Sequence, residues 1–500
     1  MRIFRASARP GLLAALFIAF VPACVMLIRS TLHATDNTIT VNNTTDPAST
    51  SGNGFCTLRE AIRNANAESD TTSGDCAAGT GNDTIVFSVS GTIPLRGTLP
   101  AILNNLTIDG SGQTITVDGG GLYGVMAVSS SGTLDLANLT IADGNATYGG
   151  GIYNQDGTLT VTNVTFQTNS AQWGGAISNG IFGSLTVTGC TFSGNQAQYA
   201  GAIYNAGASA PQTIINSTFS GNSAQYSGGA IFSDVFSVLT ITNVTFSANT
   251  ATNSGGNVFS YTGPPHGGPL TVANSILAGA SPGGNCHGTV TDGGYNISDD
   301  GTCKFSGTSL NNTDPLLDPA GLQDNGGPTE TIALQSTSPA IDIIPVADCP
   351  ATDQRGAPRP DPEDGPGGPC DIGAFESGGV VPISTPTATP TATPTPSGQI
   401  TLSRASVDFG QVKLDATARK TITIKNSGKG VLNITVENDL AAPFGEKGAG
   451  SFILHKHKSH DVVVTFKPSA TGTAPPQTLV IDSSDPNHTH LEIPVNGAGK

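Results

Sequence analysis

Apolar and polar residues alternate with a period of two in short runs such as Leu159-Thr160-Val161-Thr162 and Val164-Thr165-Phe166. Alternation carried by Val, Thr, Ile and Phe predicts short, half-buried strands. Gly, Asn and Ser separate the runs and supply the turns. Helical spacing stands out in one place, residues 57–66, where Leu58, Ala61, Ile62 and Ala65 fall on one face. That stretch predicts an amphipathic helix.

The strand pattern itself repeats. One arm reads Gly-Gly-x-Ile, and its apolar residue recurs as Ile152, Ile177, Ile203, Ile231 and Val258. A second arm ends in Phe166, Phe192, Phe219 and Phe246, each followed three residues later by Asn169, Asn195, Asn222 or Asn249. Both markers keep a step of 25–28 residues. A fixed period of this size signals stacked coils. The fold class predicted is all-β: a right-handed parallel β-helix with two or three short strands per coil, stacked at roughly 4.8 Å. Each Ile then lies over the previous Ile and each Phe over the previous Phe, building a core that one coil alone could not form.

The pattern changes along the chain and divides it. Residues 1–34 read as an export signal: Arg2, Arg5 and Arg9 precede an apolar stretch, and Leu32-His33-Ala34 precedes the expected cleavage point. An uncleaved anchor is the alternative reading. Residues 35–82 read as an N-terminal cap containing the helix, and 83–279 as the β-helix. In 280–376 the strands thin out, and the segment is expected to finish the stack and close its other end. Residues 377–398, with Pro every few positions between Thr, read as an extended linker. Residues 399–500 show six clear strands and a candidate seventh, the pattern of an immunoglobulin-like β-sandwich.

Composition narrows the function. The formal charge is −16, and no Lys or Arg occurs between Arg96 and Lys304. Nucleic acid, which needs clustered cations, is therefore not an expected partner. Six cysteines fall into near neighbours, Cys56/Cys76, Cys286/Cys303 and Cys349/Cys370, each pair bracketing a loop-forming segment outside the main repeats. They read as disulfides of an exported protein. Cys190 takes the place that Val164 and Val244 hold in other coils and reads as a small core residue.

Candidate chemistry is sparse. Between Tyr148 and Gly279 the only acids are Asp156 and Asp234, and a hydrolytic site would have to join Asp135 and Asp143 to Asp156. Gly279-Ala280-Ser281-Pro282-Gly283 has the spacing of a nucleophile elbow without the helix it requires. His455, His457 and His460 are weighed as metal ligands, with 455 and 457 sharing a strand face, against an exposed hairpin. Asp361, Glu363 and Asp364 are weighed as a calcium site against a solvated loop. No metal site, catalytic residue or cofactor is assigned. The repeat asparagines are expected to stack as a ladder inside the turns. Tyr148, Trp173, Tyr199 and Tyr226 precede the glycine-rich arm in successive coils. They form the candidate ligand site, a stacked aromatic stripe for carbohydrate.

Several motifs carry a resemblance. Cys56-Thr57-Leu58-Arg59-Glu60-Ala61 resembles the Cys-Ser-Leu-Arg-Glu-Ala motif that opens many bacterial β-helix surface proteins, with Thr57 where Ser is usual. The Gly-Gly-Ala-Ile and Phe-x-x-Asn pair resembles polymorphic outer membrane protein repeats. Asp353-Gln354-Arg355-Gly356 and Asp371-Ile372-Gly373-Ala374-Phe375-Glu376 are similar to the choice-of-anchor segment that follows such helices. The last domain resembles hydin-related sandwich modules. The resemblance implies an exported cell-surface or secreted protein, adhesin-like and without catalytic activity. Its expected partners are a glycan or another surface protein, and membrane contact is expected only through residues 1–34 if they stay attached. The rival reading is a polysaccharide lyase or glycosidase on the same scaffold.

Overall fold

The computed structural model describes residues 37–47, 52–207, 211–235, 237–263, 269–362, 367–381, 398–428, 430–437, 440–485 and 488–500. The export signal, most of the linker, Glu363 and Asp364 lie outside the described residues.

The repeat folds as a parallel β-helix. The regular coils carry three or four short strands, three where two of them merge into one, as in Gln212–Ser220 and Leu239–Ser247. One coil runs through Ser170–Trp173, Ile177–Asn179, Ser184–Thr188 and Thr191–Ser193. The first of these strands stacks in a five-stranded sheet and the second in a seven-stranded sheet. The last two stack in a 17-stranded sheet. The registers are those the period predicts: Ile152 on Ile177 on Ile203 on Ile231, and Phe166 on Phe192 on Phe219 on Phe246. All four phenylalanines are fully buried, with successive ring centroids 4.9, 4.5 and 5.0 Å apart.

Sharp corners keep the coils in register. One left-handed position recurs as Asn138, Asn163, Gly189, Asn216, Asn243 and Asn274. Asn and Gly tolerate that conformation at least cost, which explains the turn residues at this rung.

The rod begins earlier than the pattern suggested. Asn37–Val41, inside the segment read as cap, pairs in parallel with Asn82–Phe87. Its alternation, Thr-Ile-Thr-Val, is that of long-sheet strands such as Thr158–Thr162. The helix Leu58–Ala67 is inserted between these two strands, and its Leu58, Ala61, Ile62 and Ala65 join the same core as Ile39 and Ile85. Thr57 caps the helix through a reciprocal bond with Glu60, so Thr does the work expected of Ser.

Residues 280–376 finish the stack, and beyond its last rungs Cys303 and Phe305 are buried in the rod's core while Leu310 pairs with Ile297. Cys286–His287, Val290–Asp292 and Ile297–Ser298 add final rungs. From about residue 314 the chain turns back and straps the rod's flank. Thr329 and Glu330 bond to the coil at Gly189 and Thr191, Thr352 to Asn216, Ala374 to Thr245, and Gly373 to Asn274. Strands are scarce here because the strap binds sideways, through single backbone and side-chain groups.

The C-terminal unit has ten strands among the described residues, in a four-stranded and a six-stranded sheet around one apolar core. Pairing is antiparallel except between Val407–Val412 and His490–Gly499. Phe444–Lys447 and Gly450–Leu454 escape a pattern search because glycines and charges interrupt them. No helix among the described residues is long and apolar enough to cross a membrane.

Candidate functional site: the outer faces of the rod

Trp173, Tyr199 and Tyr226 stack along the five-stranded sheet, with centroids 4.4 and 5.0 Å apart. The Trp173 and Tyr199 rings are nearly parallel, at 9°, whereas Tyr226 is tilted from Tyr199 by 38°. Tyr148, at the end of the series, stacks instead on Tyr153 at 5.3 Å and is 45% exposed. The sequence reading missed a second series on the adjoining seven-stranded sheet: Tyr153, Tyr204, Phe232, Phe259 and His287, interrupted by Ser178 between the two tyrosines. The two series meet where Trp173 packs its edge against Tyr204 at 5.0 Å. The signal was the residue following each repeat Ile. Together they form an aromatic corner that is largely packed on itself.

The acids do not converge. Asp135 lies exposed on a strand of the long sheet, Asp143 occupies a left-handed turn and accepts from Thr168, and Asp156 accepts from the Phe182 amide. These are three separate stations around the coil. Asp234 accepts from the Tyr204 hydroxyl, and burial with that bond pushes the phenol well above its ordinary value. Residues 279–283 form a turn with no following helix. His457 sits in a tight turn with positive φ, closed by Lys458 N–H donating to His455 O at 2.9 Å, so 455 and 457 share no strand face. His460 packs on Phe452 at 3.9 Å. No group of three His, Cys, Asp or Glu suited to a metal occurs among the described residues.

The repeat asparagines build the expected ladder. Asn195 Nδ2 donates to Phe166 O and to Asn222 Oδ1 at 3.0 and 2.9 Å, and Asn169 and Asn222 repeat the arrangement. A second, unpredicted ladder links Asn154, Asn179 and Asn205.

Six cysteines are joined as Cys56–Cys76, Cys286–Cys303 and Cys349–Cys370, with Cα–Cα distances of 4.8, 4.8 and 6.2 Å. All three bridges lie outside the main repeats, at residues 56–76, 286–303 and 349–370. Cys286 lies on a rung of the seven-stranded sheet, and Cys76 and Cys303 are buried in the same core as the coils. Cys370 is buried in a smaller core with Ile276 and Ile297, and exchanges backbone bonds with Ile344 at 2.9 Å. The bridges staple the fold. Cys190 is buried and free, and burial pushes its thiol up to about 12.

The conspicuous motifs prove to be structural. Arg59 grips Asp46 at 2.6 and 2.7 Å and donates to Gly97 O and Thr98 O. In the strap, Arg355 pairs with Asp353 at 2.7 Å and lies over the Phe375 ring, while Arg359 pairs with Glu376 at 3.1 Å and donates to Asp371 O and Gly373 O. Burial raises Glu376 to about 7, against the pull of Arg359.

The long sheet carries an array that the sequence reading overlooked. Thr84, Thr107, Thr160, Thr186, Thr213 and Thr240 stand in one outward column, broken only by Asp135 between Thr107 and Thr160. The strap covers a neighbouring column at Thr191, Thr218 and Thr245. At the Asp135 break lies a groove of about 400 Å³, lined also by Asn82, Thr84, Asn105, Thr107 and Thr133. Asn105 donates to Asn82 across it at 3.0 Å. Asp135 has no side-chain hydrogen bond or ion pair among the described residues. A Thr recurring between the Leu and Val of each coil was the available signal.

Comparison with known proteins matches one rung of this rod. A model of the Chlamydia polymorphic membrane protein repeat matches residues 216–234, which span Phe219, Asn222 and Gly228-Gly229-Ala230-Ile231. Among solved structures, the chain is similar to jun a 1, the major allergen from cedar pollen. Identity is 15% over 52% of this chain and 71% of that one, with a TM-score of 0.28. It is also similar to PapD-like domain 7 of human CEP192, at 16% identity over 20% of this chain and 84% of that one, with a TM-score of 0.18. No curated protein matches.

Proposed function

We propose that the chain is an exported, cell-surface structural protein of adhesin-like type, without catalytic activity of its own. The observation that carries this reading is the coil at 216–234, which is similar to a polymorphic membrane protein repeat and is built into a continuous rod of equivalent coils. The absence of Lys and Arg from residues 97–303 fits a displayed surface solvated by Ser, Thr and Asn. In this reading residues 280–376 brace the rod. The immunoglobulin-like, hydin-related module follows the Thr/Pro segment. The enzyme reading has less support, because Asp135, Asp143 and Asp156 stand apart and paired carboxylates are what glycoside hydrolysis needs.

Protease treatment of intact cells producing the chain tests the address. Cleavage of the rod without lysis supports it, and full protection in the cytoplasmic fraction overturns it. Polysaccharide turnover that disappears on substituting Asp135, Asp143 and Asp156 would overturn the non-catalytic part.

A further inference from the structure

We infer that the groove at Asp135 is a binding site for a neutral, hydroxyl-rich oligosaccharide. The inference gives the adhesive role above a site and a ligand class. It rests on that reading only for its biological setting.

Two independent observations converge on this place. The outward column of threonines is interrupted at one rung, and the interruption is an unpaired carboxylate. The groove of about 400 Å³ opens at that same rung. This volume lies within the range of small-ligand sites. Its accessible chemistry is amide, hydroxyl and carboxylate: Asn82 and Asn105 both donate and accept, the threonines do either, and ionised Asp135 only accepts. Leu106 and Asp83 lie beneath, turned into the rod and buried.

Ligand classes can be excluded in turn. An apolar ligand would strip water from these polar groups without replacing their bonds. An anion would meet Asp135 with no cation to offset it, since the rod has no Lys or Arg from 97 to 303. A metal ion would find Asp135 as the one exposed carboxylate, since Asp83, the other acid of the groove, is buried and already accepts from Thr80 N–H, whereas hard cations want several charged oxygens. Sugar hydroxyls donate to the carboxylate in charge-assisted bonds and exchange bonds with the amides. Beyond the groove, the free threonine column offers a hydroxyl at each rung, roughly every 4.8 Å, to the rest of an extended chain. A lone carboxylate in such a setting binds without cleaving.

The test is calorimetric titration of the full chain with cellotetraose, maltotetraose and tri-N-acetylchitotriose, with polygalacturonate as the acidic probe. At least one neutral oligosaccharide is expected to bind, and polygalacturonate is not. Asp135→Thr, which restores the residue type of the neighbouring rungs, is expected to raise Kd about tenfold or more. Asn105→Thr reads the same groove should the first variant fold poorly. Gln172→Ala, exposed on the five-stranded sheet and away from both the groove and the threonine column, is expected to bind within a few-fold of the parent. Binding to none of the neutral probes, preference for polygalacturonate, or unchanged binding in the groove variants overturns the site. None of these results bears on the cellular address, which protease treatment of intact cells decides separately.

Discussion

Gln354 accepts a hydrogen bond from Thr218 at 2.6 Å, across 136 residues of sequence. Its Nε2 donates to Thr191 Oγ1 at 2.9 Å and lies within 3.3 Å of Cys190 O and 3.1 Å of Glu330 O. One buried side chain thus ties two coils of the rod to the strap. Gln354→Leu takes the partner from the buried Thr218 hydroxyl and one bond from Thr191, while Cys190 O keeps Thr218 N–H and Glu330 O keeps the Thr191 hydroxyl. The expected loss is about 1–3 kcal/mol, the cost of one buried group left unpaired. Chemical denaturation measures it, and limited proteolysis should cut within 314–379 much faster than in the parent. Unchanged protease resistance would show that the strap is held by something else.

Inner and outer ladders should respond differently to truncation. Phe219→Ala empties a fully buried site between two stacked rings and is expected to cost about 3–5 kcal/mol. Trp173→Ala removes a partly exposed ring from the outer series and is expected to cost about 1–2 kcal/mol. Asn222→Ala strands the Asn195 amide and removes the side-chain donor to the Phe192 carbonyl, for about 2–3 kcal/mol, while Asn249 keeps the Asn222 backbone N–H. Urea titrations of the three variants rank them. An outer truncation as costly as the inner ones would mean that the aromatic corner, rather than the core, sets the rod's stability.

The rod was legible because identical coils place identical residues in contact, so a spatial register is also a sequence period. Phe166 to Phe246 and Asn169 to Asn249 show this directly. The strands Ser170–Trp173 and Gln196–Tyr199 were not legible: Ser, Ala and Gln carry no β-branched signal, and only the stacking of neighbouring coils makes them strands. The strap was illegible for a different reason. Gln354 finds Thr191 and Thr218 through the folded rod, and no local pattern encodes a meeting over such a separation. Its motifs were visible, but their work of neutralising buried charge and docking on the rod was not. The cysteines divide the same way. Nearness in sequence pointed to Cys76, Cys303 and Cys370 as bridge partners, but not to their burial in the cores. Asp135 was weighed as one of a catalytic group and instead stands alone in a polar groove. Sequence shows which residues exist, while convergence depends on where each falls around the coil.

Cys190 holds a corner at which its neighbours are Val164, Ser217, Val244 and Ser275. Each acceptor there serves the preceding coil: Val164 N–H points to Cys190 Sγ at 3.5 Å, Cys190 N–H to Ser217 Oγ at 3.1 Å, and Val244 N–H to Ser275 Oγ at 3.1 Å. The cysteine therefore does a serine's work. Cys190→Ser should be neutral within about 0.5 kcal/mol, and Cys190→Val should lose about 1 kcal/mol by leaving the Val164 amide unpaired. Burial and the raised thiol predict no reaction with a disulfide reagent at neutral pH until the rod unfolds. Rapid labelling of the native protein would contradict the packing described.

The charge cluster in the strap makes its docking sensitive to pH. Asp353, Asp371 and Glu376 face Arg355 and Arg359, so one carboxyl is left without a cation when all are ionised. Burial raises both Asp371 and Glu376, and Glu376 reaches about 7 from an ordinary 4.5. A raised carboxyl means that the folded state favours the proton. The contribution of neutral Glu376 is therefore complete below about 4.5 and is lost as the pH climbs through about 7. The expected loss is of order 1–3 kcal/mol. Glu376→Gln keeps an acceptor for the Asp371 amide and removes the titration. Its stability should decline less over that window than the parent's, with Asp371 still raised in both. Thermal melts of parent and variant at matched ionic strength across the window measure the difference. A parent that gains stability on the same upward path would show that the Arg359 pair, rather than burial, governs Glu376.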